Sequence, residues 1–208
     1  MKILLQIAAL ALVLTANAQG TSEAVLNFSS SIVGNSPHTV GWTFQTTGNI
    51  SVTDLGVFNY IVTSQTNIQV GLWDSSNNLL ASNTITPAST LTNQTRYASI
   101  TPVLCIPGVV YHIGAFAPNV LSIQFDVVSP DLGGSVTLSP EVQLRGSAES
   151  VGASFSSPAE IAADGSIFLA PNFQYTPVAP EPSGFALLCL GGLVFTAVNR
   201  KSAFGKPR

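Results

Sequence analysis

Apolar and polar residues alternate with a period of two along the middle of this 208-residue chain. Val40, Trp42 and Phe44 alternate with Gly41, Thr43 and Gln45, and Ile68, Val70 and Leu72 with Gln69 and Gly71. Tyr111, Ile113, Ala115 and Ala117 alternate with His112 and Gly114, and Ile123, Phe125 and Val127 with Gln124 and Asp126. This is the period of a strand with one buried face, and no long window keeps a helical stripe. Asn77-Asn78, between Leu72-Trp73 and Leu79-Leu80, predicts a hairpin turn, because Asn tolerates positive φ. Further turn clusters fall at 46–49, 87–93, 107–108, 130–134 and 164–165. Asp54 interrupts the alternation between Val52 and Leu55, which predicts a bulge or a strand end. Residues 147–157 are small and polar, and read as a loop or a weak edge strand. Strands at this spacing with no helices between them predict an all-β fold, a single antiparallel β-sandwich of jelly-roll or Ig-like kind over residues 19–176.

The two ends are different. Lys2, an apolar run over 3–14 and the small-x-small site Ala16-Asn17-Ala18 form a secretory signal peptide, residues 1–18. At the other end a Pro-rich linker, 177–183, carries Pro180, Glu181, Pro182 and Ser183. An uncharged apolar run, 184–199, and a basic tail, 200–208, follow. The prolines hold Glu181 on an extended segment open to a protease. The apolar run is shorter than the roughly 20 residues of a full span, so it crosses only with its flanks or with bilayer thinning. Arg200 and Lys201 are the stop that keeps the C-terminus cytoplasmic.

This tripartite end resembles a bacterial PEP-CTERM sorting signal. The resemblance implies an exosortase-like membrane protease as partner and membrane anchoring through the C-terminal helix before cleavage. It also implies final residence on the surface or in the matrix of a Gram-negative-type bacterium, in association with exopolysaccharide. An ordinary C-terminal anchor with an incidental Pro-Glu-Pro is the alternative.

Charge supports export and excludes one partner class. Between residues 19 and 179 there are nine acidic residues, two arginines (Arg96 and Arg145) and no lysine, a net charge of −7. Such a surface has no basic stripe for nucleic acid. Cys105 lies in the body and Cys189 in the sorting run, so no intrachain disulfide is expected. A body of this length can stand on its apolar core alone.

A second resemblance covers residues 39–118. Ser51-Val52-Thr53-Asp54-Leu55-Gly56-Val57-Phe58, the Leu72-Trp73 hairpin, Thr101-Pro102-Val103 and the strand from Tyr111 are similar to a bacterial extracellular β-sandwich module of unknown function. The shared motifs are structural and imply a fold, not an activity.

Candidate chemistry is sparse. His38 and His112 are the only histidines, and His112, out of phase with its apolar neighbours, is expected at the surface. No Gly-x-Ser-x-Gly elbow accompanies them, and no His or Cys pair has zinc spacing. Asp54, Asp74 and Asp126 each follow an apolar strand; for glycoside hydrolysis two carboxylates would have to face each other. Asp74, before Ser75-Ser76-Asn77-Asn78, reads better as a turn cap. Loop oxygens around Asp126, Asp131 and Asp164 are the candidates for structural calcium. No catalytic residue, metal or cofactor is assigned. Trp42 reads as core. Trp73, out of phase with Ile68, Val70 and Leu72, is the candidate carbohydrate-binding residue, either as an exposed platform or packed beneath a loop. The expected function is a non-catalytic surface or matrix protein; a carbohydrate-binding module or weak glycan-active enzyme is the second reading.

Overall fold

The computed structural model describes residues 20–178 apart from 30, 37–38, 60, 62–66, 117–122, 129–134, 153, 162–166 and 170. The chain divides into two compact units, Met1–Pro177 and Val178–Arg208. The described residues form sixteen strands, β1–β16 in chain order, and every pairing among them is antiparallel. The fold is all-β and sandwich-like. One sheet has five strands: β1 (Ser22–Glu23), β16 (Pro171–Pro177), β5 (Ile50–Phe58), β9 (Thr95–Cys105) and β8 (Thr90–Thr92) in that order. The other has six: β14 (Glu160–Ile161), β13 (Val142–Ser150), β4 (Thr39–Thr46), β10 (Tyr111–Phe116), β6 (Ile68–Asp74) and β7 (Leu79–Ile85). Two small sheets flank them, β15 (Ile167–Leu169) with β11 (Ile123–Val128) and β3 (Ser31–Ser36), and β12 (Ser135–Leu138) with β2 (Val25–Ser29).

Aromatic side chains on alternate positions join the two large sheets. Phe173 of β16 lies 5.8 Å from Trp42 and 4.8 Å from Phe44 of β4, centroid to centroid. Phe44 in turn stacks on Tyr111 at 5.6 Å. The Trp42 indole N–H donates to the Pro171 carbonyl at 2.9 Å, so the ring is buried with its one donor satisfied. Cys105 is a free, buried thiol in the same core.

The predicted irregularities have clear causes. Asp54 follows a register shift on both sides of β5. Pro102 falls in the stretch of β9 where the ladder with β5 is broken, a place where its missing N–H costs nothing. The Asn77 hairpin forms with φ of 64° at Asn77. Residues 147–150, read from sequence as loop or edge, instead continue β13 along β4. The alternation at 123–127 is β11, whose side chains lie outside the described residues, as do the turns at 130–134 and 164–165.

Asn172 closes the five-stranded sheet where β1 departs from it. Ser22 and Glu23 pair with Tyr175 and Gln174, and the Ala24 N–H donates to the Phe173 carbonyl at 2.9 Å. The chain then turns away into β2. At Val25 the Asn172 side chain replaces the missing strand: Oδ1 accepts from the Val25 N–H at 3.0 Å, and Nδ2 donates to the Val25 carbonyl at 3.1 Å. Asn172 is fully buried. Each buried backbone group left without a partner costs about 1–3 kcal/mol. Asn172→Ala strips Val25 of two, so urea unfolding should show a loss of at least about 2 kcal/mol. An unchanged midpoint would mean that other groups satisfy Val25.

Candidate functional site

Trp73 and His112, paired across β6 and β10, lie on the outer face of the six-stranded sheet. Strands β4, β10 and β6 are buried on both faces. Val40, Trp42 and Phe44 point inward. On the other face Gly41, Gly114 and Gly71 stand in one row across three strands, Gly114 pairing with both neighbours. Large groups lie on this flat strip. A Cβ on Gly71 would sit 2.5 Å from the Trp73 ring and 2.7 Å from Phe155. One on Gly114 would sit 2.9 Å from Pro158. The glycines are there because other groups approach the backbone closely.

Residues 155–158 lie over this strip as a strap. Phe155 packs 5.1 Å from Trp73 and 6.5 Å from Phe116. The Ser156 N–H donates to Thr39 Oγ1 at 3.3 Å, and Ser157 Oγ donates to Asn77 Oδ1 at 2.8 Å. Trp73 therefore sits on the face opposite Leu72, as the alternation implies, yet is only 3 % exposed. Its ring is packed against Phe155 and Gly71, so stacking on a sugar would require the strap to lift.

His112 is corrected by the same strap. Expected at the surface, it is 8 % exposed, because residues 155–158 cover the face that period-two reasoning assigns to water. Burial lowers its pKa; a hydrogen bond with the Pro158 backbone and the nearby Asp74 charge act the other way. Nδ1 has no partner among the described residues.

Asp54, Asp74 and Glu141 are each hydrogen-bonded within the fold. Asp74 caps its own turn: Oδ1 accepts from the Ser76 and Asn78 N–H groups at 2.8 and 2.9 Å, and Oδ2 from Asn78 Nδ2 at 3.0 Å. These bonds hold its carboxyl below the usual range. Asp54 accepts from Ser99 Oγ at 2.6 Å. Glu141 accepts from the Tyr175 hydroxyl at 2.6 Å, which lowers the Glu141 pKa. Tyr175 itself is pushed up to about 12, mainly by burial. Burial likewise pushes the Cys105 thiol up to about 12, far from a reactive thiolate. Arg96 is spent on neutral partners, the Asn59 side chain at 2.6 Å and the Ser89 carbonyl at 2.7 Å.

Among the described residues no three His, Cys, Asp or Glu side chains come together to hold a metal. A cavity of about 50 Å³ bordered by Glu23, Phe28, Phe58 and Asn93 has room for a water or two but not for a sugar ring. Pro180, Glu181, Pro182, Ser183, Arg200 and Lys201 lie outside the described residues, as do His38, Asp131 and Asp164. No helix among the described residues is long and apolar enough to cross a membrane. No protein family, curated protein or solved structure matches this chain. The residues that sequence reasoning missed are Phe155 and Pro158, whose only signal is bulk within a run of small polar residues.

Three measurements test this arrangement. Trp73→Ala should cost about 3–5 kcal/mol, the usual loss for a buried aromatic. In a Trp42→Phe background Trp73 emission should resist acrylamide; strong quenching would show that the ring is exposed. The His112 pKa is lower folded than unfolded, so the unfolded chain binds the extra proton first. Its contribution to stability is complete above about pH 6.5 and falls as pH drops below that value. The thermal midpoint of the native protein should therefore fall more between pH 7.5 and 5.5 than that of His112→Gln, and equal falls would contradict the burial of this imidazole.

Proposed function

We propose that this is an exported, non-catalytic surface or extracellular-matrix protein, sorted and cleaved at a PEP-CTERM signal and associated with exopolysaccharide. The single observation that carries the reading is the order Pro180-Glu181-Pro182-Ser183, uncharged apolar run, Arg200-Lys201 at one end of a chain that opens with a signal peptide. A membrane protease of the exosortase kind is the processing partner. The C-terminal run is a helical anchor before cleavage, and the N-terminal run a signal-peptide helix. The body between them is one sandwich of jelly-roll or Ig-like kind.

The body is consistent with a role in which no bond is made or broken. Asp54, Asp74 and Glu141 each accept hydrogen bonds within the fold, and Trp73, on which a carbohydrate-binding reading depends, is covered by Phe155. These commitments favour a scaffold over a glycan-active enzyme.

Mass spectrometry of the protein from its native host is the test. The mature chain should lack residues 1–18 and end close to Pro180-Glu181-Pro182. A mature form that keeps Arg208, in a host that carries the protease, would leave a plain anchor in place of a sorting signal.

A further inference from the structure

We infer that residues 155–158 are a pH-operated cover, which lifts from the outer face of the six-stranded sheet when His112 takes up a proton and so bares the Trp73 ring. The inference does not depend on the sorting signal. The Pro158 backbone offers only a carbonyl, so the His112 imidazole is the donor in the bond between them. Nδ1 is buried and has no partner among the described residues, which leaves Nε2 to make that bond. The neutral ring therefore lies under the strap with one nitrogen bonded and a bare lone pair on the other.

A second proton reverses this fit. Nδ1 becomes a charged donor in a place where it has no partner among the described residues. A buried charge with an unmet hydrogen bond is costly, and water at Nδ1 removes the cost. Burial is what favours the neutral ring, and it outweighs both the Pro158 bond and the Asp74 charge. Lifting the strap ends the burial, so the open face holds the proton more tightly than the covered one. A fall in pH through about 6.5 then moves the balance toward the open form.

The surrounding charges leave this direction unchanged. Asp74, one residue past Trp73, is fixed by its own turn and favours the imidazolium whether the strap is on or off. On β4 the residue paired with His112 is Thr43. Arg145, in the bulge of β13 beyond Thr43, is bonded to Gln45. Glu149 and Glu160 pair with each other on the far side of β4, in the row of Val40. Tyr111, next to His112 on β10, stacks on Phe44 in the core. The strap itself, Phe155-Ser156-Ser157-Pro158, carries no charge.

The strap is also the part that can yield. Residues 154–159 belong to no strand, whereas β10 is laddered on both sides. Apart from the Pro158 bond and the Phe155 ring, the strap is held by neutral hydrogen bonds from two serines. The Ser156 N–H meets Thr39 at 3.3 Å, Ser156 Oγ meets Ser150 Oγ at 2.8 Å, and Ser157 Oγ meets Asn77 at 2.8 Å. Local opening takes such segments first. Lifting brings the Trp73 ring to solvent, the condition that stacking on a sugar requires.

The test is a short pulse of hydroxynitrobenzyl bromide, a tryptophan reagent, applied to the full chain at pH 7.5 and 5.5. Peptide mass spectrometry separates the two tryptophans, and labelling is scaled to N-acetyltryptophanamide at the same pH. Trp42, buried between the sheets, reads unfolding of the body, and Trp73 reads the strap. Trp73 labelling should at least double at the lower pH while Trp42 stays unlabelled, and His112→Gln should label Trp73 equally at both. His112→Asn repeats the comparison if His112→Gln does not fold. Trp73 labelling that does not rise overturns the inference, as does a rise that persists without the imidazole. Labelling of Trp42 in step with Trp73 would mean that the ring is bared only when the whole body unfolds, and would overturn it too.

Discussion

The hydrogen bond from the Trp42 indole to the Pro171 carbonyl sets how the two large sheets meet. A buried indole N–H needs an acceptor, and Pro171 offers a carbonyl at the first position of β16. Once that bond is made, Phe173, two residues on, must fall against Trp42 and Phe44, and Tyr175 continues the same face toward Glu141. The strand that receives the bond is the one whose neighbour, Asn172, terminates the sheet at Val25. Inter-sheet packing and sheet closure thus meet in two adjacent residues of one strand near the end of the body. With Cys105 a lone thiol in the core, these contacts hold the body together without a cross-link.

The strands legible in the sequence were those whose own residues carry the period. β4, β6, β10 and β11 alternate cleanly, and the Asp74 turn and the break at Asp54 follow from side chains acting within two to four residues of themselves. β16 alternates too, as Pro171, Phe173 and Tyr175, but is bounded by two prolines, which argue against a strand in isolation. β13 ends in small polar residues that gain strand geometry only by lying beside β4. Those pairings are long-range, and nothing near them in the chain announces them.

The candidate site divides in the same way. The residues of the proposed sorting signal form a local motif, readable without any fold. Trp73 and His112 depend on the fold: alternation places both on the face away from the core, but it treats that face as wet. The strap over Gly114 and Gly71 makes it dry, and the strap is anchored by Phe155 and Pro158 within an otherwise polar run. The three glycines were visible as the partners of apolar residues. What was not visible is that they align in one row, because register is a property of pairs of strands.

The outermost strands of the two large sheets add a different consideration. A sheet edge displays unpaired amides and carbonyls that can recruit another chain, and proteins commonly deter this with lysine. This body has no lysine between residues 19 and 179. Three of its four principal edges are instead two or three residues long, at β1, β8 and β14, too short to template a neighbour. The fourth, β7, is seven residues, with Ser82 and Thr84 exposed and the Asn83 amide donating to the Ser99 carbonyl at 2.8 Å. Brevity and a side-chain tether thus do for this protein what charge does for others, and neither weakens as ionic strength rises.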